Sequence, residues 1–362
     1  MPVTLAITGA DGFLGWHVRV LARALGLPEP TLISRADLAS PARTGGLLSG
    51  VDRVLHLAGV NRGDPDEVAA GNLTVARRLA AGLHACATPP KRVVFANSIQ
   101  ASNGTPYGDG KAAASALLAE ATRWFGSAFD DILLPNLFGE HGRPHYNSVI
   151  ATFGRLLADG GEPRVDGDRE LELLHATDAA AALLGLPGDP PSTTRRTVGA
   201  LAAQLTEFAA LYRGGEIPAL LDRFDVRLFN TYRSHLTPGP IPLTRHTDAR
   251  GSLVETVKQH GGAGQTFCSS TVPGVTRGEH FHLAKVERFM VLSGTAEIRM
   301  RRILHDDVVT IRVSGDEPAV VDMPTMWAHN ITNVGDRELT TLFWANELFD
   351  PARPDTYPEP VR

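Results

Sequence analysis

Apolar and polar residues follow two patterns along the first half of the chain. Short apolar runs, of the kind that form buried strands, are separated by stretches in which apolar residues recur at helical spacing. The strands predicted in this way cover residues 3–8, 31–34, 51–57, 92–97 and 132–134, and the helices cover residues 13–25, 72–85 and 107–125. Strands that alternate with helices form parallel sheets covered by helices. The first half is therefore predicted to be a Rossmann-like, doubly wound α/β fold.

The pattern changes near residue 240. Three prolines and a glycine fall within residues 236–243, and long helical patterns end there. Short alternating runs follow at residues 288–292, 296–300 and 308–313, with glycine and aspartate between them. Evenly spaced short strands with turn residues are typical of a sandwich or barrel. We therefore predict two domains, an α/β domain over residues 1–240 and an all-β domain over residues 241–362.

Composition narrows the classes of function. The 43% of hydrophobic residues and 21% of charged residues are ordinary for a folded protein. The net charge of −5, with no basic block, argues against a nucleic-acid partner. No apolar run is long enough to span a membrane, and no export signal precedes the first strand. The two cysteines, Cys86 and Cys268, form no CxxC pair, which excludes a thiolate zinc site and favours a cytoplasmic location.

A glycine-rich motif joins the first strand to the first helix. Gly9, Gly12 and Gly15 have GxxGxxG spacing, which permits a tight turn and lets backbone N–H groups approach a pyrophosphate at the helix N-terminus. A simple turn is the alternative, but the position at the first βα junction favours dinucleotide binding. The residues predicted to contact the dinucleotide are Gly9, Asp11, Gly12, Phe13, Leu14 and Gly15.

The end of the second strand bears on the choice of cofactor. Ser34 and Arg35 stand where NAD-binding sites often carry an acid for the ribose hydroxyls. A hydroxyl and a guanidinium suit a 2′-phosphate, so the sequence favours NADP(H). Arg35 as a solvated loop residue is the alternative, and Asp37 nearby could serve NAD.

Ser98, Tyr107 and Lys111 form the second motif of the α/β half. Tyr107 and Lys111 are four residues apart on a predicted helix, and Ser98 follows a predicted strand. A hydride added to a carbonyl carbon leaves an oxyanion that must be protonated. A tyrosine whose pKa is lowered by a nearby lysine can donate this proton, while a serine hydroxyl polarises the same oxygen. A surface Tyr and Lys on a helix is the alternative for this pair alone.

These motifs together resemble the extended short-chain dehydrogenase/reductases that act on nucleotide sugars. The resemblance includes the run at 56–62, the Ser-Ile-Gln-Ala run at 98–101, and residues 135–139. It implies that Leu57, Ala58, Gly59 and Asn72, with Tyr107 and Lys111, belong to the cofactor site. It also implies that Ser98, Gln100, Asn136, Asn147 and Ser148 contact the substrate. One departure is Leu133, near a place where the family often has a basic residue.

Four residues of the second half predict a metal site. His280 and His282 would point to the same face of a strand, because side chains alternate along it. Glu287 follows, and His329 comes from a later strand, in an arrangement that resembles the two cupin motifs. Such nitrogen and oxygen ligands suit Zn²⁺, the most expected ion, and also Ni²⁺, Mn²⁺ or Fe²⁺. A metal-free barrel in which one histidine acts as a base is the alternative.

His280 has a second candidate role. Residues 276–280 and 248–252 resemble segments of deoxysugar 3,5-epimerases, in which the residue matching His280 is a base that removes a proton beside a ketone. We place metal ligation first because His282, Glu287 and His329 accompany it. Lys285 is a candidate proton carrier, or a solvated lysine of the strand.

Nearly the whole chain resembles the bifunctional capsular polysaccharide-assembling enzymes of bacteria. These convert a UDP-4-keto-6-deoxy-aminohexose to UDP-2-acetamido-2,6-dideoxy-β-L-talose by 3-epimerisation and NADPH-dependent 4-reduction. The resemblance implies the same two activities, a UDP-sugar substrate and a homodimer formed through the cupin. In one alternative the chain is a 4-ketoreductase whose cupin only binds metal and dimerises. Others are a non-catalytic nucleotide-sugar binder, a dehydratase and a 4-epimerase.

Overall fold

The computed structural model describes residues 3–187 and 192–362. The helices are α1 Phe13–Ala24, α2 Arg35–Leu38, α3 Pro41–Leu48, α4 Pro65–His84, α5 Pro106–Trp124, α6 Val149–Ala158, α7 Ala176–Leu184, α8 Val198–Arg213 and α9 Arg223–Arg233. The strands up to residue 248 are β1 Leu5–Thr8, β2 Thr31–Ile33, β3 Arg53–His56, β4 Arg92–Ser98, β5 Ala128–Leu134, β6 Asn136–Phe138, β7 Glu170–His175, β8 Thr194–Thr197, β9 Pro240–Pro242 and β10 Arg245–Asp248. The later strands are β11 Gly251–Val254, β12 Gln265–Thr271, β13 Thr276–Phe281, β14 Glu287–Ser293, β15 Thr295–Arg302, β16 Val308–Ser314, β17 Ala319–Met323, β18 Trp327–Asn333, β19 Leu339–Ala345 and β20 Tyr357–Pro358.

The chain divides into two compact units. The first contains residues 1–138, 145–148 and 170–196, and the second contains residues 139–144, 149–169 and 197–362. None of the helices in the described ranges combines the length and the apolar character needed to cross a membrane. The domain boundary near residue 240 marks a change of sequence pattern and stays a prediction.

The first unit is built on a parallel sheet with the strand order β2-β1-β3-β4-β5. Apolar residues of its strands pack against α3, α4 and α5 in one core that includes Val54, Phe95 and Leu118. The chain reverses its direction of winding between β1 and β3, and ligands of such sheets bind at this switch point beyond the carboxyl ends of the strands. The predicted Rossmann-like α/β fold is confirmed.

Helix α4 begins seven residues before the predicted start at residue 72. Asp64 caps it by accepting hydrogen bonds from the backbone N–H groups of Asp66 and Glu67, and Pro65 occupies the first helical position. A proline is well suited to that position because its nitrogen has no hydrogen to leave unpaired. After Pro65, the first two turns contain acidic residues, alanines and a glycine around a single larger apolar residue, Val68, so they show no apolar periodicity.

Two antiparallel five-stranded sheets dominate the second unit. Their strand orders are β12-β19-β14-β17-β9 and β16-β15-β18-β13-β20. Apolar side chains of the two sheets, among them Phe289, Ile298, Ile331 and Phe343, form one core. The alternation of buried and half-buried residues along most of β15 follows the two-residue period of a strand with one face inward. The predicted all-β second half is confirmed.

Helices α8 and α9 belong to the same compact unit as these sheets. Arg288 of β14 is 1% exposed and makes two hydrogen bonds to Asp322 of β17, at 2.7 and 2.8 Å. Its remaining nitrogen donates to the carbonyl of Gly215, which follows α8. Asn230 of α9 donates to the carbonyl of Ala284 at 2.7 Å. These polar contacts join the helical part of the unit to β14, which also carries Glu287, and to the loop that precedes it.

Candidate functional site

The glycine motif forms a tight turn at the switch point of the parallel sheet. Gly9 has φ +72°, and a Cβ atom there would lie 2.7 Å from the backbone nitrogen of Ala58. A Cβ on Gly15 would collide with the carbonyl oxygen of Gly9. Gly12 precedes α1, and no side chain caps the first turn. Backbone N–H groups are therefore available to a pyrophosphate at this helix end.

Asn72 holds the loop that follows β3. Its side-chain nitrogen donates to the carbonyls of Val60 and Val68, at 2.7 and 2.9 Å, and its oxygen accepts from the Val60 backbone at 3.2 Å. A Cβ on Gly59 would lie 2.9 Å from the Asn72 oxygen and 3.8 Å from Lys111 Nζ. The amide of Asn72 is thus occupied within the chain, and the loop of Leu57, Ala58 and Gly59 borders the lysine.

The structure brings Ser98, Tyr107 and Lys111 together. Ser98 is the last residue of β4, and the other two lie in the first turns of α5, which Thr105 caps through the Gly108 backbone. Burial raises the pKa of Tyr107, and a hydrogen bond with the Ser98 side chain opposes this shift. The sequence predicts a tyrosine pKa lowered by Lys111, and the structure differs. The raised pKa keeps the phenol protonated, which is the form that donates a proton.

Lys111 is buried against a backbone carbonyl and an aromatic ring. Its Nζ donates to the carbonyl of Ala96 at 2.8 Å and lies 4.6 Å from the centre of the Phe95 ring. Burial lowers its pKa to about 8, although Asp131 opposes the shift. Burial and the Lys111 charge together lower the pKa of the neighbouring His56 to about 3. The neutral imidazole of His56 and the ammonium group of Lys111, whose charge Asp131 partly balances, thus line this end of the sheet.

The end of β2 contains a polar cluster that the sequence showed only in part. Asp37 accepts hydrogen bonds from the Ser34 backbone and hydroxyl, at 2.9 and 2.6 Å, and pairs with Arg43. These bonds lower the pKa of Asp37 to about 2. Arg35 is exposed beside them. Arg43 escaped the sequence analysis because it lies nine residues after Ser34, in a separate helix.

The residues predicted to contact the substrate lie on three segments of the first unit. Asn147 donates to the carbonyl of Asn61 at 3.0 Å, and Ser148 follows it. Asn136 lies on β6 and donates to the carbonyl of Glu172 at 3.1 Å. Gln100 is exposed two residues beyond Ser98 and donates its backbone N–H to the Ser98 hydroxyl oxygen. Their contacts with a sugar nucleotide stay predictions.

The second unit brings the four predicted metal ligands into one cluster. One potential ligand atom from each of His280, His282, Glu287 and His329 lies within 4.8 Å of all the others. The histidine ring centres are 4.7 to 5.2 Å apart. Glu287 Oε2 lies 3.0 Å from His282 Nε2 and 3.6 Å from His329 Nε2. The four residues come from β13, the loop after it, β14 and β18, so only the folded sheets assemble the cluster.

The histidines are oriented as metal ligands are. The carbonyl of Asp355 lies 2.5 Å from His282 Nδ1, and the carbonyl of Trp327 lies 3.2 Å from His329 Nδ1. A carbonyl oxygen can only accept a hydrogen bond, so each Nδ1 carries a hydrogen. In the neutral imidazole, each Nε2 then presents a lone pair to the cluster. Both Nε2 atoms are buried and face the Glu287 carboxylate, at 3.0 and 3.6 Å. This donor set fits a divalent cation.

Charge in the cluster also favours a cation. Burial raises the pKa of Glu287, but His282 and His329 outweigh it and hold that pKa far below the ordinary value. Burial, with the other two histidines, lowers the pKa of His280 to about 4. Burial also lowers the pKa of His329. An ionised carboxylate and neutral imidazoles, here those of His280 and His329, are ligand forms that zinc binds.

The sequence analysis missed Asp355, which contacts the loop between two of these ligands. Its carboxylate accepts hydrogen bonds from the backbone N–H groups of Leu283, Ala284 and Lys285. Lys285, the candidate proton carrier, donates its Nζ to the carbonyl of Pro354 at 2.6 Å. Asp355 lies 73 residues after His282, and no local spacing links the two.

Two family models match different parts of the chain. Residues 5–186 match the NAD dependent epimerase/dehydratase family, and residues 246–357 match the polysaccharide biosynthesis C-terminal domain. The UDP-2-acetamido-2,6-beta-L-arabino-hexul-4-ose reductase of Pseudomonas aeruginosa is 32% identical over 366 aligned positions, covering 97% of each chain.

A solved structure is similar over nearly the whole chain. The capsular polysaccharide assembling protein CapF from Staphylococcus aureus is 32% identical, with a TM-score of 0.60, and the match covers 99% of this chain and 100% of that one. The chain therefore belongs to the NAD dependent epimerase/dehydratase family and, within it, to the CapF-like proteins that carry a polysaccharide biosynthesis C-terminal domain.

Proposed function

We propose that the chain is a bifunctional nucleotide-sugar enzyme that epimerises a UDP-4-keto-6-deoxy-aminohexose at C3 and then reduces the 4-ketone with NADPH. The observation that carries the proposal is the presence of two chemically different sites, a Ser-Tyr-Lys set and a three-His, one-carboxylate cluster. The relative from Pseudomonas aeruginosa is named as a reductase of a UDP-hexul-4-ose, which supports the substrate class.

In the reductase step, Tyr107 donates the proton and Ser98 orients the oxygen that receives it. NADPH supplies the hydride when it is bound. The phenol is protonated because burial raises its pKa, and its hydrogen bond to Ser98 places both hydroxyls on one side of the site. Lys111 supplies positive charge beside the loop of Leu57, Ala58 and Gly59, where the cofactor ribose is expected. General acid catalysis of this kind contributes roughly 10²–10⁴-fold to a rate.

The polar cluster after β2 supports NADP(H) rather than NAD. An acid that binds ribose hydroxyls needs free carboxylate oxygens, whereas those of Asp37 are taken by Ser34 and Arg43. Two guanidinium groups, those of Arg35 and Arg43, are exposed at the same strand end. Guanidinium groups bind phosphate through paired, charge-assisted hydrogen bonds. A 2′-phosphate is therefore the better partner of this surface.

The four-residue cluster would hold a divalent ion, for which we propose Zn²⁺. The ion supplies positive charge that stabilises the negative charge developing on a ketone oxygen. His282 and His329 are almost wholly buried, whereas the His280 ring is only partly buried. His280 therefore lies on the accessible side of the cluster. We place it as a ligand, in a position from which it could also contact substrate.

The order of the two reactions follows from the chemistry of the ketone. A 4-ketone makes the proton on the neighbouring C3 acidic, and reduction removes that activation. Epimerisation must therefore precede reduction. The homodimer implied by the resemblance and the cytoplasmic location favoured by the cysteine content stay predictions, and light scattering of the purified chain tests the first.

A single incubation tests the whole proposal. The chain is mixed with NADPH and several UDP- and dTDP-linked 4-keto-6-deoxy sugars, among them the UDP-linked aminohexose, in D₂O. NADPH loss and the product NMR spectrum are followed. We expect stoichiometric NADPH oxidation and a C3-inverted product with deuterium at C3. Reduction without inversion or deuterium would identify a simple 4-ketoreductase. Turnover without net NADPH loss would indicate a dehydratase or 4-epimerase instead.

A further inference from the structure

The C-terminal segment around Asp355 meets the loop that connects two of the cluster's ligands. Residues 283–285 lie between His282 and Glu287, and their three successive backbone N–H groups all donate to the Asp355 carboxylate. The distances are 3.0, 2.9 and 2.8 Å. Hydrogen bonds to a carboxylate are about twice as strong as those between neutral groups. One side chain thus fixes the path of the chain from the second ligand to the third.

The backbone of the same residue contacts the ligand itself. Its carbonyl oxygen lies 2.5 Å from His282 Nδ1 and so selects the tautomer whose Nε2 faces the cluster. Asp355 has φ +40°, a conformation that is uncommon for residues other than glycine. This conformation lets the carbonyl and the carboxylate of one residue point to the same loop.

Other residues also hold the segment in place. Glu359 pairs with Arg301 at 2.6 Å, and the Val361 backbone donates to Glu279 at 2.7 Å. Strand β20 pairs with β13 next to His280. Because these contacts anchor the segment on the far side of Asp355, the bonds of Asp355 itself are directed at the ligand loop.

We propose that Asp355 is a positioning residue of the metal site and that the segment around it forms the outer support of His282. The inference rests on the proposed metal site. It assigns Asp355 no contact with the ion. It predicts that the affinity and the coordination geometry of the site depend on a residue 73 positions away from the ligand it orients.

The test compares three variants of the full chain, Asp355→Ala, Asp355→Asn and the control Asp350→Ala. Asp350 also accepts hydrogen bonds within the C-terminal segment, from the Ala352 backbone and Arg353, but contacts none of the four ligands. Zn²⁺ affinity is measured by competition with a chromophoric chelator. The visible spectrum of the Co²⁺-loaded protein reports the coordination geometry.

We expect Asp355→Ala to weaken Zn²⁺ binding by about 10–100-fold, the usual effect of losing a group that orients a ligand. The Co²⁺ spectrum should change as well. Both variants keep the backbone carbonyl, but Asp355→Asn also keeps one side-chain acceptor oxygen, so its affinity should lie between those of wild type and Asp355→Ala. Asp350→Ala should stay within about twofold of wild type, since its bonds lie outside the ligand set.

Three results separate the possible failures. Binding by Asp355→Ala and Asp355→Asn that equals wild type would overturn the positioning role. A lower melting temperature with an unchanged Co²⁺ spectrum and affinity would also overturn it, because it would show a purely structural anchor. If Asp355→Ala does not fold, Asp355→Asn decides by the same two measurements. Absence of Zn²⁺ binding by the wild type would instead refute the proposed metal site itself.

Discussion

The two sites balance buried charge in opposite ways. Lys111 in the α/β unit is buried against a carbonyl and an aromatic ring, and its pKa falls to about 8. Glu287 in the β-sheet unit is buried among histidines that hold its pKa far below the ordinary value. The first site thus carries an ammonium group that an anionic cofactor would stabilise. The second carries a carboxylate and free imidazole lone pairs that a cation would stabilise. The sign of the buried charge therefore indicates an anionic ligand for the α/β unit and a cation for the β-sheet unit.

The two sites also differ in the separation along the sequence between the reactive residues and the residues that hold them in place. Tyr107 and Lys111 are one helical turn apart, and Thr105 caps the same helix. His282 depends on Asp355, which lies 73 residues away. A substitution near the reductase motif should therefore act locally, whereas the metal site should respond to changes at distant positions.

The largest effect should come from Tyr107→Phe, which removes the proposed proton donor. We expect 4-keto reduction to fall by roughly 10²–10⁴-fold, because the oxyanion then lacks its acid. Incorporation of deuterium at C3 in D₂O should continue at the wild-type rate. A loss of both activities together would contradict the assignment of the two reactions to separate sites.

Glu287→Gln should have the next largest effect, on the other unit. We expect Zn²⁺ affinity to fall by about 100-fold or more, since a neutral amide replaces the anionic ligand. C3 exchange should be lost, while the Kd of NADPH stays unchanged. Glu297→Gln on β15 is the matched control, and zinc content with deuterium exchange is the measurement. Full exchange by metal-free Glu287→Gln would favour the barrel with a histidine base.

A smaller effect, about tenfold, is expected from Arg43→Ala. This change removes one guanidinium from the end of β2, which is worth about 1.5–3 kcal/mol in a charged hydrogen bond. KM for NADPH should rise, whereas KM for NADH should not, because NADH has no 2′-phosphate. Lys91→Ala, an exposed cation paired with Asp52 elsewhere in the unit, is the control. An equal rise in KM for NADPH and for NADH would contradict the proposed role of Arg43 in binding the 2′-phosphate.

The smallest effect is on stability. Lys111 has a pKa of about 8 against an ordinary 10.5, so the unfolded chain binds more protons than the folded chain between these values. The stability of the cofactor-free protein should therefore rise as pH increases from about 8 to 10.5. Lys111→Met should add about 1–2 kcal/mol below pH 8, and this gain should vanish near pH 10.5.

Urea unfolding of Lys111→Met at pH 7.5 and 10.5 measures this difference. Lys91→Met serves as control, because that lysine is exposed and should show no such gain. A pH-independent difference between Lys111→Met and wild type would show that packing, rather than buried charge, determines it.

Local pattern was sufficient for much of the fold. The strand and helix periods identified the parallel sheet and the β-rich half, and the glycine motif identified its βα turn, because these features depend on neighbours within one or two turns. Helix α4 was predicted too short, since its first turns show no apolar periodicity and are stabilised by the Asp64 cap. Capping and periodicity carry independent information, and only the second was used there.

What the sequence by itself determined is the chemistry available: a Ser-Tyr-Lys set, a glycine turn, and three histidines with a glutamate in a β-rich region. Tertiary structure decided how those groups are held. It paired Asp37 with Arg43 of the next helix, and it brought Asp355 to His282. The reason is physical: a hydrogen bond depends on distance in space, and strand pairing joins residues whose separation along the chain leaves no periodic trace.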